Sequence, residues 1–145
     1  MWLTSNEHKV FTMKPYNGFS EQQRNDAQAW LNAQWRTGML QRPCKCVACG
    51  QDKGIIDAHA EDYSIPYMGG KTDEYHLCFR CHMMVHCRFR NLNRWKWYKE
   101  AVASGMTFKP FYSRDFNTFA AQTLNALPPL DFMGEPRTDV LGRIG

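Results

Sequence analysis

The sequence predicts a mixed α+β fold in which a four-cysteine zinc site lies between flanking helices. Three observations support this class: two Cys-x-x-Cys units, apolar residues at helical spacing on either side of them, and a short β-type run between them. A chain of 145 residues suits one compact domain. Apolar residues make up 43% and aromatic residues 14% of the chain, which excludes general intrinsic disorder.

The first region, residues 1–43, is predicted to contain an irregular arm or a short edge strand, followed by a helix. Ser20 and Gln23 match a capping box, in which each residue hydrogen-bonds the backbone N–H of the other. Apolar residues at helical spacing extend this helix from residue 21 to about residue 40. We therefore expect an amphipathic helix that covers part of the core.

The second region, residues 44–103, is predicted to be the zinc-bearing core. A strand is expected at residues 54–59, and one helix is expected from residue 81 to residue 103. Four thiolates at tetrahedral geometry make a closed structural zinc site. The predicted zinc ligands are Cys46, Cys49, Cys78 and Cys81.

The last region, residues 104–145, is predicted to add a C-terminal helix and a tail. The helix is expected at residues 115–127, because Pro128 and Pro129 would end it. The tail from residue 130 onward contains glycine and proline, and we expect it to be extended or frayed.

A histidine cluster follows the second Cys-x-x-Cys unit. His82 and His86 are four residues apart, so on a helix they share one face and can bind one metal ion. His59 lies upstream, two residues after Asp57. Three imidazoles, or two with a carboxylate, leave room at the ion for water or phosphate, which is typical of a catalytic metal site.

The modest net charge of +4 is concentrated beside these histidines. Residues 78–99 contain six basic residues and no acidic one, a pattern typical of a surface that binds a polyanion and also of a solvated helix face. We expect the interleaved aromatic residues to pack in the core. The predicted DNA-contacting residues are Arg80, Arg88, Arg90, Arg94 and Lys96, of which Arg80 and Arg88 flank the histidines.

The order of these motifs, CVACG, DAHAEDYSIP, a Gly-Gly pair and YHLCFRCHMMVH, resembles the zinc-containing HNH nucleases. These enzymes have the ββα-metal fold, and the similarity is greatest to the small HNH proteins of bacteriophages. The match covers residues 44 to about 90. It implies a metal-dependent endonuclease that hydrolyses DNA phosphodiester bonds, by nicking or by double-strand cleavage.

The resemblance also implies residue roles. The four cysteines would hold structural zinc, and a catalytic Mg, Mn, Ni or Zn ion would be held by Asp57, His59, His82 and His86. Asp73 occupies the place where many family members have the middle asparagine, and there it would orient the catalytic histidine.

Position 60 departs from the family pattern. The family has two consecutive histidines at this place, whereas this chain has His59 followed by Ala60. The first histidine of the pair tends to bind metal and the second acts as general base, and alanine cannot accept a proton. Three interpretations remain open. His59 is the base and Asp57 a ligand; or the site is impaired; or a histidine was replaced so that a toxic nuclease could be expressed.

Two alternatives to a nuclease remain. One is a non-catalytic zinc module that binds nucleic acid or a phage packaging complex, and the other is a structural zinc protein of a phage particle. The expected partners are DNA and either a second copy of the chain or a larger phage nucleoprotein complex. Without a membrane span or signal-like segment, we expect the cytoplasm of a bacterial host, with a phage or mobile element as the source of the gene.

Overall fold

The computed structural model describes residues 14–67, 74–125 and 132–145, and these ranges contain both helices and strands. The predicted α+β class is confirmed at this level. The described residues separate into two units, one of residues 14–42, 60–67 and 74, and one of residues 43–59, 75–125 and 132–145. None of the helices in the described ranges has the length and apolar character needed to cross a membrane.

The first unit is organised around a buried arginine. Helix α1 spans Glu21–Thr37, and Ser20 and Gln23 form the predicted capping box. The Arg24 guanidinium lies between the Tyr16 and Tyr63 rings, 5.1 and 5.0 Å from their centroids. Arg24 is the only buried residue among the residues of this unit whose burial the structure describes, so the apolar residues of α1 are not fully buried there. The Arg24 guanidinium is stabilised by its contact with the two aromatic rings.

The second unit contains a buried helix and, apart from Ala60 and Glu74, the two strands that precede it in the sequence. Strands β1 (Ile56–Ala60) and β2 (Glu74–Cys78) form a two-stranded sheet, and helix α2 (Phe79–His86) follows β2 without a loop. The seven consecutive residues from Phe79 to Val85 are all buried. Because a helix that is buried all round lies inside a core, α2 is the central element of this unit.

The single helix predicted for residues 81–103 is wrong, because the structure has two helices there. Helix α2 ends at His86, and helix α3 spans Leu92–Ala103. The Asn91 side chain accepts a hydrogen bond from the Arg94 N–H at 3.0 Å and caps the start of α3. A capping residue inside the basic stretch therefore starts a new helix.

The C-terminal region is more ordered than the sequence predicted. Strands β3 (Met106–Thr107) and β4 (Phe132–Met133) pair antiparallel. Helix α4 spans Phe116–Phe119 and continues as a π-helical segment, Ala120–Leu124. The prediction of an extended tail is wrong for its end, where helix α5 (Val140–Ile144) buries three apolar side chains. Residues 126–131, where the third helix was expected to end, lie outside the described residues.

The hydrophobic core of the second unit joins the cysteine loops, α2, α3 and the C-terminal elements. Its largest fully buried apolar side chains are Leu77, Phe79, Met84, Tyr98, Phe119 and Leu141. The basic stretch thus contributes aromatic residues to the core, as predicted for Trp95 and Tyr98.

Gly54 occupies a position that no larger residue fits. Its φ of 71° lies in the left-handed region, and a Cβ atom there would collide with the Phe111 carbonyl oxygen, which accepts a hydrogen bond from the Ile55 N–H at 2.8 Å. The chain just before β1 therefore approaches residue 111 backbone to backbone.

We predict that Gly54→Ala lowers the free energy of unfolding more than Gly50→Ala does. Gly50 has a similar φ of 79° but no heavy atom near its Cβ position, so its replacement adds only the left-handed strain of about 1–2 kcal/mol. Chemical denaturation followed by circular dichroism measures both values. Equal losses would show that the approach to Phe111 is not limiting.

Candidate metal sites

Four cysteines meet where the first cysteine loop lies against the junction of β2 and α2. Their sulfur atoms all lie within 4.8 Å of one another, and all four residues are buried. The cluster consists of Cys46, Cys49, Cys78 and Cys81. Two thiolates bound tetrahedrally to one zinc ion are about 3.8 Å apart. The Sγ atoms of Cys49 and Cys78 are 3.7 Å apart and form no disulfide, so the donor set fits zinc.

Each Cys-x-x-Cys unit folds in the same way. The N–H of Cys49 donates to the Cys46 sulfur at 3.4 Å, and the N–H of Cys81 donates to the Cys78 sulfur at 3.5 Å. The N–H of Val47 donates to the His76 carbonyl at 2.9 Å and attaches the first Cys-x-x-Cys loop to β2. This matched backbone support orients two sulfur atoms from each side toward one point.

The thiols of this cluster share charge unevenly. Hydrogen bonds from Cys49, Cys78 and Cys81 lower the pKa of Cys46. Hydrogen bonding with Cys46 and Cys49, together with burial, raises the pKa values of Cys78 and Cys81. One negative charge is thus stabilised by the other thiols, whereas ionising all four requires a cation.

A tyrosine supports the same cluster from inside the core. The Tyr98 hydroxyl lies 3.2 Å from the Cys81 sulfur, and the residue is fully buried. Burial, with the nearby thiols, raises the pKa of Tyr98 well above its ordinary value, so the hydroxyl keeps its proton and can donate it to a Cys81 thiolate. Such outer hydrogen bonds orient metal ligands.

Three histidines form a second cluster. A ring nitrogen from each of His59, His82 and His86 lies within 4.8 Å of the other two. The Nε2 atoms of His82 and His86 are 3.1 Å apart. Two imidazole nitrogens bound tetrahedrally to one zinc ion are about 3.3 Å apart. Strand β1 supplies one ring and helix α2 supplies two, and the donor set fits a divalent ion.

One of these imidazoles contacts a carboxylate, which in turn pairs with an arginine. The Asp57 Oδ2 atom accepts a hydrogen bond from His82 Nδ1 at 3.0 Å. Arg114 donates to Oδ1 at 2.6 Å and to Oδ2 at 2.7 Å. With its proton on Nδ1, His82 presents the Nε2 lone pair on its other side.

The structure therefore places Asp57 next to the Nδ1 atom of His82, whereas the Nε2 atom of His82 faces His86. The sequence predicted Asp57 as a metal ligand, but its carboxylate lies against His82 and Arg114 and outside the group of three imidazoles. Arg114 is 57 residues away from Asp57 along the chain, and the sequence analysis missed it. Its only sequence signal is its positive charge.

His82 is neutral at ordinary pH. Burial lowers its pKa to about 4, although the hydrogen bond to Asp57 acts in the opposite direction. A neutral imidazole has a free lone pair, so His82 is available as a metal ligand without losing a proton.

Two of the predicted DNA-contacting arginines are internal. Arg80 is 4% exposed and its guanidinium lies over the Phe108 and Phe111 rings, while Arg88 is 5% exposed and donates to the Val85 carbonyl at 2.8 Å. The assignment of these two as phosphate contacts is therefore corrected. Their flat guanidinium groups are hydrogen-bonded and stacked inside the protein.

The other predicted contact residues lie at the surface. Arg90 and Lys96 are exposed, and Arg94 is half-buried with its guanidinium 5.5 Å from the Trp97 ring centroid. Phe89 is 76% exposed, in contrast to the core position that the sequence predicted. The accessible positive charge thus lies in and after the turn that joins α2 to α3.

Two further predicted site residues have separate outcomes. Ala60 is the last residue of β1, directly after His59, and is half-buried. Asp73 lies outside the described residues.

Comparisons of the chain with protein-family models, curated proteins and solved structures found no match.

We predict that Cys49→Ser lowers the zinc content of the purified protein by one equivalent and lowers its thermal stability. Cys44→Ser is the matched control, because Cys44 is exposed and outside the thiol cluster. Inductively coupled plasma mass spectrometry and thermal unfolding measure the two effects. Unchanged zinc content in Cys49→Ser would contradict the assignment of the thiols as ligands.

Proposed function

We propose that this chain is a metal-dependent DNA endonuclease of the HNH class, with β1, β2 and α2 as a ββα-metal core. The observation that carries the proposal is the convergence of three imidazoles beside a four-thiol cluster. Cys81 and His82 are neighbours on α2, so both clusters depend on the position of one helix.

The two clusters differ in the chemistry that they can support. The thiol cluster has four protein ligands, which fill a tetrahedral zinc ion and leave no position for a substrate. The imidazole cluster offers three, which leaves a coordination position open. A divalent cation bound there supplies Lewis-acid stabilisation of phosphate oxygens and lowers the pKa of a bound water.

The protein residues have distinct roles in this proposal. His59, His82 and His86 hold the ion, and Asp57 keeps the proton of His82 on Nδ1. His59 is fully buried and shares its cluster with both helical histidines, which favours a ligand role over a role as general base. Position 60 is then the base position, and Ala60 leaves it without a proton acceptor.

The exposed basic residues offer a surface for the DNA backbone. Arg90 and Lys96 are accessible and lie on the turn before α3 and on α3 itself, just after His86. Residues 78–99 contain no acidic side chain that would repel a polyanion. A basic surface alone would suit either nucleic acid or an acidic protein as a partner. The adjacent imidazole cluster is what favours nucleic acid.

We predict that Ala60→His increases DNA cleavage by about 100- to 10,000-fold, the usual contribution of a positioned general base. The measurement is relaxation and linearisation of supercoiled plasmid by zinc-loaded protein with added Mg²⁺ or Mn²⁺. Addition of His82→Ala to this variant is expected to abolish the gain, because His82 is one of the three clustered imidazoles.

Three outcomes of this experiment separate the interpretations. Cleavage only by Ala60→His supports an impaired nuclease site. Equal cleavage by both proteins identifies His59 as the base and contradicts its assignment as a ligand. Absence of cleavage in both contradicts the endonuclease proposal.

A non-catalytic zinc module that binds nucleic acid is the second candidate function. Ala60 favours it, since a binding module needs no proton acceptor at that position. The imidazole cluster disfavours it, since a purely structural protein needs no metal site with an open position. A chain that binds DNA and metal but does not cut, even with Ala60→His, would support this candidate.

We predict that Arg90→Ala weakens DNA binding at low salt and reduces the slope of log K against log salt by about 0.9, as expected for one lost phosphate contact. Arg143→Ala is the control, because it removes an exposed positive charge from α5 instead. Fluorescence anisotropy with a labelled duplex at several salt concentrations gives both slopes. An equal change in the two variants would indicate a general charge effect.

A further inference from the structure

The segment of residues 108–114 brings an arginine from outside the zinc-bearing region to the imidazole cluster. We propose that Arg114 is a positioning residue which, through Asp57, fixes the His82 imidazole for metal binding. The region after residue 104 would then complete the metal site. This role rests on the proposed function, because it assumes that the imidazoles bind a divalent ion.

Backbone and ring contacts hold this segment in place three residues before Arg114. The Phe111 carbonyl accepts a hydrogen bond from the Ile55 N–H at 2.8 Å, two residues before Asp57. The Phe111 ring lies 5.1 Å from the Phe79 ring, at the start of α2. The segment is therefore fixed to the residue that precedes β1 and to the first residue of α2, the two elements that carry the imidazoles.

Arg114 engages Asp57 with two parallel hydrogen bonds. Its two terminal nitrogens donate to different carboxylate oxygens at 2.6 and 2.7 Å. This fork-to-fork geometry fixes the plane of the carboxylate as well as its position. Oδ2 also accepts a hydrogen bond from His82 Nδ1. A carboxylate with a fixed plane therefore fixes the orientation of the imidazole.

The partial burial of this pair makes it more than a surface ion pair. The Asp57 side chain is 13% exposed and the Arg114 side chain is 35% exposed. Burial alone would raise the pKa of Asp57, but hydrogen bonds from Arg114 and His82 bring that pKa well below its usual value. Without Arg114, His82 would face a carboxylate that has lost its main charge partner and its fixed plane.

The test is a titration of zinc-loaded protein with Co²⁺, which reports binding at the imidazoles through visible absorption. Any displacement of zinc from the thiols would be recognised separately by intense thiolate-to-cobalt charge-transfer bands. We expect Arg114→Ala and Asp57→Asn each to weaken Co²⁺ binding by about 10- to 100-fold, the usual effect of losing an outer-shell partner. Arg143→Ala, which removes an exposed charge on α5, is expected to bind as the wild type does.

A double variant distinguishes a relay through Asp57 from two independent effects. If Arg114 acts only through Asp57, Arg114→Ala combined with Asp57→Asn should bind Co²⁺ as weakly as Asp57→Asn alone. Additive losses would overturn the relay. Arg114→Lys keeps the charge but lacks the fork, and it is expected to recover only part of the affinity.

This titration separates the role of Arg114 from the proposed function. Wild-type affinity in Arg114→Ala, while His82→Ala loses Co²⁺ binding, would overturn the role of Arg114 and leave the imidazole site standing. Unchanged Co²⁺ binding in His82→Ala would overturn the metal site and the role of Arg114 together. Neither result depends on cleavage of DNA, so the alanine at position 60 does not affect the outcome.

Discussion

The position of Cys78 determines much of the architecture of the second unit. Its sulfur belongs to the thiol cluster and also accepts the Cys81 N–H at the start of α2, so one residue is both a cluster member and a helix cap. The helix that begins there carries His82 one residue after Cys81. The distance between the two clusters is therefore set by a single helical step rather than by a flexible connection.

The burial of α2 explains why the charge of the basic stretch is divided between interior and surface. A helix that is enclosed on all sides has no solvent face for Arg80, whose guanidinium instead lies over the Phe108 and Phe111 rings. Arg88 follows the helix and returns to the Val85 carbonyl. Within the basic stretch, the first exposed basic side chain is Arg90, so the surface charge is smaller than the sequence count implies.

The parts of the structure that the sequence predicted are those determined over short distances. The capping box of Ser20 and Gln23 spans three residues, and each Cys-x-x-Cys unit is held by a hydrogen bond over the same separation. The break between α2 and α3 was also local, but the cap at Asn91 was hidden within an otherwise continuous basic and aromatic pattern. The contact between Arg114 and Asp57 spans 57 residues and has no periodic or spacing signal.

The candidate ligands and the residues proposed to orient them also differ in how far apart they lie along the sequence. The ligands on α2 are set by helical spacing, and His59 comes from a short strand beside them, so a motif search can find all three. In our proposal, one of them, His82, is oriented by a carboxylate on β1 and an arginine after β3, which only tertiary structure brings together. In the proposed endonuclease, metal binding is thus separable from proton transfer. The first depends on the imidazoles and their support, whereas the second depends on position 60, where the alanine side chain has no titratable group.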